Sequence, residues 1–364
     1  MASLWAWLLM TLAASGIGGP PALTCRCSAA IVMRAGTGQV LGGVHAYRQR
    51  DPASLTKIMT AYVVIRDGRL DRTATVSRRA ARTEGSKLHI RAGERYTLLD
   101  LLRGLLLRSG NDAAVALAQA ESGRVSTFVE TMNRAARELG AYNTHFANPN
   151  GLTAPGHYSS AYDLALITRA ALHLALFQHL VSTREDVVHE LVSGRARHII
   201  TTNRLLEVFP GADGVKTGTT NAAGHCLIAT ATRHGVQLLA VILDSRNRWD
   251  DAANALNWGF QEFKPVTAVH KGAVLGQVRV VRGRRRAVAL TPRDSLSVMV
   301  PRAQAWSVVV TTAGAVAAPV RSGTVLGTAY VVAGSRVLGG EPLVAERSVG
   351  RRVLPLLPLR AQPR

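Results

Sequence analysis

Strand patterns at both ends of the first 260 residues, with helix patterns between them, constrain the fold of this chain most. Residues 29–34 and 39–41 flank a Gly-rich turn and predict a hairpin. Apolar runs at residues 215–218, 225–231 and 237–243 predict three more strands. Helical spacing predicts helices at residues 54–66, 101–108, 113–120, 126–139, 163–180 and 249–260. We therefore expect an α+β fold: an antiparallel sheet flanked by helices, with a helical subdomain, whose first and last strands come from opposite ends of the domain.

The sequence pattern changes after Phe263. Helical periodicity ends there, and short runs rich in Val, Gly, Ser and Thr follow, for example at residues 273–281, 287–290 and 308–312. This pattern predicts a small C-terminal all-β domain. We divide the chain into a signal peptide (1–24), an α+β domain (25–262), an all-β domain (263–355) and a tail (356–364).

The N-terminus has the pattern of an export signal. Residues 4–14 form an apolar run of secretory length, and small residues with Gly-Pro-Pro follow. The run is too short to span a bilayer. Residues 1–5 carry no Lys or Arg, which leaves a buried N-terminal helix as the alternative. We expect cleavage between Ala14 and Thr24 and an exported, extracytoplasmic mature chain, at the cell wall or the outer face of the cytoplasmic membrane.

The three cysteines do not predict a disulfide framework. Cys25 and Cys27 are separated by one residue, too close to bridge easily, and Cys226 lies in an apolar run typical of a buried thiol.

The chain is strongly positive: it has 44 Lys and Arg but only 23 Asp and Glu, which gives a net charge of +21. Such a field attracts anionic partners. Nucleic acid is disfavoured, since aromatic residues make up 5% of the chain and do not alternate with basic ones. An anionic wall polymer or membrane surface remains. Only five of the 44 basic residues are lysine, which suggests sites where arginine would fail.

Three short elements carry residues suited to catalysis. Ser54 and Lys57 are three apart on a predicted helix, so they share a face, and the helix N-terminus favours developing negative charge. Lys57 can activate the hydroxyl only when neutral, which requires its pKa to fall by about three units, or about 4 kcal/mol. Burial and a second cation, such as Lys216, can produce that shift; arginine could not act as such a base. The alternative is a helix-capping serine with Lys57 on a solvated face.

The other two elements are Ser109-Gly110-Asn111 and Lys216-Thr217-Gly218. Ser109 can relay a proton, and Asn111 can hold a substrate carbonyl or Lys57; alternatively, either residue caps the next helix. Lys216 and Thr217 suit a carboxylate, and Gly218 on an edge strand lets a peptide approach as an added strand.

The order and surroundings of these elements resemble the serine D-alanyl-D-alanine carboxypeptidases, which are low-molecular-mass penicillin-binding proteins. The similarity extends over residues 29–260. The longest similar stretches are residues 52–60, 109–118, 143–152 and 156–164.

This resemblance implies a role for each site residue. Ser54 is the nucleophile and Lys57 the general base, while Ser109 and Asn111 assist proton transfer and peptide binding. Lys216 with Thr217 receives the terminal carboxylate, and the backbone N–H groups of Ser54 and Thr219 form an oxyanion hole. Arg248 matches a second carboxylate contact.

The resemblance also implies the partners: peptidoglycan stem peptides as substrates and β-lactams as covalent inhibitors, with no cofactor. The product would lower the supply of cross-linking donors, which indicates a role in trimming the wall.

Four alternatives remain. A β-lactamase needs a separate deacylation base, and the nearest candidate pair, Glu130 and Asn133, has the wrong spacing. A DD-endopeptidase or transpeptidase and a catalytically silent wall-binding protein would share the motifs. A zinc peptidase is suggested only by His157 and Asp163, without a supporting ligand set.

The tail does not favour a helical membrane anchor, because Pro355 and Pro358 interrupt residues 351–360. A second candidate for attachment to anionic wall polymer or lipid is the cluster Arg282, Arg284, Arg285 and Arg286; the alternative is an ordinary solvated run of charge.

Overall fold

A computed structural model describes residues 19–352 and divides into two compact units, one spanning Ala22–Gln261 and the other containing Glu262 onward. The predicted signal segment at residues 4–14 and the tail at 356–364 lie outside the described residues.

The first unit is built on a five-stranded antiparallel sheet with the order β2-β1-β9-β8-β7. Its strands are β1 (Cys27–Arg34), β2 (Val40–Val44), β7 (Ala212–Thr220), β8 (Gly224–Arg233) and β9 (Val236–Ser245). Short hairpins add β3 (Thr73–Thr75), β4 (Arg95–Thr97), β5 (Glu185–His189) and β6 (Ala196–Ile200). Because β1 pairs with β9, the predicted sheet joining the two ends of the domain is confirmed.

Helices cover the sheet. They are α1 (Lys57–Asp67), α2 (Arg78–Arg82), α3 (Leu98–Leu106), α4 (Asn111–Ser122), α5 (Val125–Glu138), α6 (Ala161–Leu172), α7 (Ala175–Ser182), α8 (Leu205–Val208) and α9 (Arg248–Glu262). Both faces of the sheet are buried: Ile31 and Met33 belong to the main core, whereas Val32 lies beneath Gly259 of α9. This explains why its strands are nearly continuous apolar runs rather than alternating ones.

The second unit is all-β, as predicted, with strands β10 (Phe263–Val269), β11 (Gly276–Val281), β12 (Ala287–Pro292), β13 (Leu296–Pro301), β14 (Trp306–Thr312), β15 (Ala315–Ala317), β16 (Val325–Ala333) and β17 (Arg336–Ala345). Six of them form one sheet, and β10 pairs with β13. Its core includes Val278, Leu290, Val331 and Leu343.

Two local predictions were wrong. The single helix expected at residues 163–180 is two helices, α6 and α7, bent by 108° where Leu174 adopts an extended conformation. No Gly or Pro marks that break, so the apolar period runs on through it. Cys25 and Cys27 form a disulfide, because their Cα atoms lie 5.3 Å apart, within the range that a disulfide spans. Cys226 is buried, as predicted.

Between residues 19 and 352, no single helix is both long and apolar enough to cross a membrane; the bent pair α6 and α7 meets that requirement only when taken together.

Candidate active site

Ser54 lies in a one-turn 3-10 helix, Ala53–Thr56, immediately before α1. The predicted start of an α-helix at Ser54 is therefore wrong by one turn. Asp51 fixes this turn, since its Oδ1 accepts the Ala53 N–H at 2.9 Å. The three-residue spacing still places Ser54 Oγ 2.7 Å from Lys57 Nζ. Ser54 is half-buried and Lys57 is fully buried, so the solvated alternative for Lys57 is excluded.

Lys57 Nζ is surrounded by oxygen atoms. Besides Ser54 Oγ, it lies 2.7 Å from Asn111 Oδ1 and 2.6 Å from the carbonyl oxygen of Asn150. Burial lowers the pKa of Lys57 well below its ordinary value, the positive charge of Lys216 lowers it further, and Asp112 opposes both. This is the direction that the predicted chemistry requires.

Asn111 is oriented by the nitrogen of its side-chain amide. Its Nδ2 donates to the carbonyl of Glu84 at 2.6 Å, so its Oδ1 faces Lys57. Its backbone N–H donates to the carbonyl of Ser86 at 2.7 Å. Helix α4 begins at Asn111 after Gly110, which makes no side-chain cap; the capping alternative for Ser109 and Asn111 is therefore wrong. Ser109 is buried beside this start with a positive φ of 61°.

Sequence reasoning missed two groups of this centre. Asp112 is fully buried and accepts the backbone N–H groups of Leu88 at 2.9 Å and Ile90 at 3.2 Å, which holds the segment that Asn111 contacts. The other is the carbonyl of Asn150. It is presented by a turn at Gly151 with φ +86°, where a Cβ would lie 1.9 Å from the Ala53 carbonyl oxygen. The position of Asn150 in a stretch already seen to be similar to the family was the available signal.

Strand β7 brings the third element to the Ser54 turn and is an edge strand of the sheet. A Cβ on Gly218 would lie 3.1 Å from the Ser54 nitrogen and 3.1 Å from Ala53 Cβ, so glycine permits this close approach. Lys216 is buried, and its Nζ donates to the Thr217 carbonyl at 3.1 Å. Burial and, second, Arg248 lower the pKa of Lys216 to about 7.

Arg248 begins α9 and reaches back to β7. Its Nη1 donates to the Gly218 carbonyl at 2.9 Å and to Thr219 Oγ1 at 2.8 Å. Its guanidinium lies over the Trp249 ring, 4.8 Å from the centroid. The structure therefore brings Arg248 of α9 to the strand that carries Lys216, Thr217 and Thr219.

The zinc alternative has no support here. His157 contacts Thr56 and Ala147, whereas Asp163 accepts hydrogen bonds from Asn143 and Thr144. Over residues 19–352, no group of three or more His, Cys, Asp or Glu side chains could hold a metal ion. The pair Glu130 and Asn133, considered for a β-lactamase, has no support either. The Asn133 side chain exchanges two hydrogen bonds with the backbone of Phe146.

Comparison with known proteins decides the family. A family model described as D-alanyl-D-alanine carboxypeptidase (Peptidase S11) matches residues 18–247, and one described as the C-terminal domain of penicillin-binding protein 5 matches residues 263–351. The chain belongs to the D-alanyl-D-alanine carboxypeptidase family. The resemblance read from the motifs is confirmed, and with it the enzyme class, a carboxypeptidase and thus a hydrolase.

The similarity to curated relatives in this family covers residues of both units. D-alanyl-D-alanine carboxypeptidase DacF of Bacillus subtilis is 31% identical over 338 residues, which cover 90% of this chain and 87% of the relative. DacD of Escherichia coli is 36% identical, covering 75% of this chain and 73% of the relative.

Solved structures agree. The structure of penicillin-binding protein 5 from Haemophilus influenzae superposes with a TM-score of 0.80 at 28% identity, covering 92% of this chain and all of that one. A mutant of the Streptomyces K15 DD-transpeptidase covers 65% of this chain and 99% of its own, at 34% identity and a TM-score of 0.62. The α+β fold with an all-β C-terminal domain is therefore confirmed.

Proposed function

We propose that the exported chain removes the terminal D-alanine from peptidoglycan stem pentapeptides through an acyl-enzyme on Ser54. The observation that carries the proposal is the set of oxygen atoms around Lys57 Nζ. Asn111 Oδ1 and the Asn150 carbonyl can only accept hydrogen bonds. The two N–H bonds of a neutral amine are used by these acceptors, so its lone pair faces the Ser54 hydroxyl at 2.7 Å.

The reaction follows from that arrangement. Lys57 takes the hydroxyl proton as Ser54 Oγ bonds to the carbonyl carbon of the scissile D-Ala-D-Ala amide. The C–N bond then breaks, and the departing D-alanine amine takes a proton from Lys57, with Ser109 as the relay. Water cleaves the ester, returns the hydrogen to Ser54 and completes the hydrolysis.

The edge strand supplies the binding groups. A stem peptide can add alongside β7, with its scissile carbonyl oxygen facing the backbone N–H groups of Ser54 and Thr219. Lys216, Thr217 and Arg248 then receive the terminal carboxylate. Gly218 permits the close approach of this strand to the Ser54 turn.

The charge of Lys216 makes binding pH-dependent. Its pKa of about 7 is below the ordinary value, so the amine carries its charge below that pH and loses it above. We expect kcat/KM for a D-Ala-D-Ala peptide to fall above pH 7 by up to about tenfold per pH unit, because this parameter reports the free enzyme. Rates measured from pH 5 to 9 test this expectation.

Lys216→Arg identifies the titrating group. Arginine keeps its charge over this range, so the alkaline fall should flatten in the variant whatever its absolute rate. Lys271→Arg, at an exposed lysine, is the matched control and should keep the wild-type profile. An unchanged alkaline fall in Lys216→Arg contradicts the assignment.

Two substrates test the proposed function itself. The purified protein is incubated with a D-Ala-D-Ala peptide and with labelled penicillin; we expect D-alanine release and a stable penicilloyl adduct. Loss of the adduct within milliseconds would indicate a β-lactamase, and wall binding without D-alanine release would indicate a silent binding protein.

Transfer to a second peptide is a separate candidate activity, favoured by the similarity to a structure described as a DD-transpeptidase. Adding an acceptor amine and cross-linked muropeptides distinguishes transpeptidase and endopeptidase activity from simple hydrolysis.

Export and wall trimming, with an effect on cell shape, complete the proposal. The N-terminal pattern and the location of the substrate support an extracytoplasmic site of action.

The arginine cluster supports attachment to an anionic surface. Arg282, Arg284, Arg285 and Arg286 are exposed in the turn between β11 and β12. Backbone hydrogen bonds add Arg352, whose N–H donates to the Arg282 carbonyl at 2.8 Å. None of the ion pairs found between residues 19 and 352 involves these side chains. We propose that the cluster binds anionic wall polymer or lipid.

Neutralising the cluster should weaken that binding. At about 1 kcal/mol per arginine, the triple change of Arg284, Arg285 and Arg286 to Gln should weaken binding to anionic phospholipid vesicles about 100-fold at low salt. Purified wall polymer is the parallel ligand. The same triple change at Arg78, Arg79 and Arg82 of α2 removes equal charge and is the control. Equal losses in both triple variants contradict a local site and indicate the overall charge instead.

A further inference from the structure

His157 is a buried imidazole that the proposed mechanism does not use. The residue is 5% exposed, and its ring packs near Phe146, with ring centroids 6.0 Å apart. Nε2 lies 2.9 Å from Thr56 Oγ1, and Nδ1 accepts the backbone N–H of Ala147 at 2.9 Å.

The Ala147 contact fixes the tautomer. A backbone N–H can only donate, so Nδ1 must carry the lone pair and the single proton of a neutral ring lies on Nε2. That proton is donated to Thr56 Oγ1. Burial first lowers the pKa of His157 to about 4; the carboxylate of Asp51 acts against this shift, and His145 adds to it. The ring is therefore neutral at neutral pH.

One partner of the ring adjoins Lys57 in the chain, and the other belongs to the segment that the Lys57 amine contacts. Thr56 directly precedes Lys57 and closes the Ser54 turn. Ala147 begins the segment that ends in Asn150, whose carbonyl accepts from Lys57 Nζ at 2.6 Å. A second link joins the same parts, since Thr60 Oγ1 donates to the Pro149 carbonyl at 2.6 Å. His157 therefore connects the helix that carries the amine to the segment that carries its acceptor.

We propose that His157 is a positioning residue: its neutral Nε2–H tautomer joins Thr56 to Ala147 and so holds the Lys57 amine against both the Asn150 carbonyl and the Ser54 hydroxyl. This rests on the proposed role of Lys57 as the base. Small misplacement of a catalytic group slows a reaction strongly because the reacting atoms must be aligned.

Three variants separate this role from general packing. Thr56→Val removes the hydroxyl at nearly constant volume, His157→Ala removes the ring, and the double variant combines them. We expect acylation of Ser54 by labelled penicillin to slow about tenfold in Thr56→Val and about 100-fold in His157→Ala. The double variant should be no slower than His157→Ala, because both changes break the same connection.

The pH profile supplies the readout that a smaller folded fraction alone would not move. The groups that act on Lys57 are Lys216 and Asp112. In His157→Ala, water reaches the loosened amine, so its pKa should rise and the acid limb of acylation should move to higher pH. His157→Gln can still accept from Ala147 and donate to Thr56, and should recover most of the rate.

Controls keep the outcomes distinct. His173→Ala, at an exposed histidine, should behave as wild type. Additive losses, or losses that follow only the folded fraction with an unmoved acid limb, overturn the positioning role. If the wild-type protein neither releases D-alanine nor binds penicillin, the proposed function fails. If the wild-type protein is active and the variants are unaffected, only the positioning role of His157 fails.

Discussion

Ser54→Ala should abolish both D-alanine release and the penicilloyl adduct. The change removes the only oxygen of this residue that can form the acyl bond, while the 3-10 turn is held by Asp51 and does not depend on the hydroxyl. We expect kcat/KM to fall by about 10⁴-fold or more, since no covalent intermediate can form. Amino-acid analysis of released D-alanine and gel detection of labelled penicillin measure the two signals.

The two signals must disappear together. Ser126→Ala, at an exposed serine of α5, is the matched control and should retain both. Binding of the D-Ala-D-Ala peptide to Ser54→Ala should persist, because Lys216, Thr217 and Arg248 are unchanged. Continued D-alanine release by Ser54→Ala would contradict the covalent mechanism.

Lys57→Arg should slow acylation by about 10³-fold or more. A positioned general base contributes about 10²–10⁴-fold, and a guanidinium keeps its proton near neutral pH, so the base is lost although the positive charge stays. The wild-type amine, in contrast, is fully buried with a pKa well below its ordinary value. The second-order rate constant of penicillin acylation is the measurement.

A second variant keeps this test informative if the larger arginine disturbs the buried site. Lys57→Ala opens a space that a small primary amine can fill, and added ethylamine should restore part of the acylation rate. The restored rate should follow the concentration of the uncharged amine, and thus rise with pH. Lys271→Arg is the control for the first variant. An active Lys57→Arg, or a Lys57→Ala variant as fast as wild type without added amine, would refute the base assignment.

The meeting of Ser54 with Lys57 was predictable from local geometry alone. A spacing of three residues places two side chains on one face whether the turn is α or 3-10, so the error in helix type did not affect the contact. The low pKa of Lys57 was likewise predictable in direction, because a lysine acting as a base must be neutral.

The partners of Lys57 were only partly predictable. Asn111 stood in a recognisable motif. The Asn150 carbonyl, in contrast, is a backbone group that every residue carries, so its one signal was the similarity of the surrounding stretch to the family. The buried carboxylate of Asp112 and the imidazole of His157 act through segments distant in sequence. Their roles depend on which loops they contact, and residue type does not show that.

The two errors in the fold prediction also arise because residue type does not show the path of the chain in space. The bend between α6 and α7 leaves no mark in the apolar period because both helices bury a face on either side of Leu174. The disulfide between Cys25 and Cys27 depends on the local path of the chain at the start of β1, which spacing in sequence does not specify.

By itself, the sequence determined the α+β class, the all-β second unit, the family and the contact between Ser54 and Lys57. These depend on periodicity and on contacts within one helical turn, which act over short distances along the chain. Only the tertiary structure decided that Asn111 Oδ1 and the Asn150 carbonyl contact one buried amine, and that the charge of Lys216 lowers its pKa. Burial and charge depend on distances in space between segments far apart in sequence.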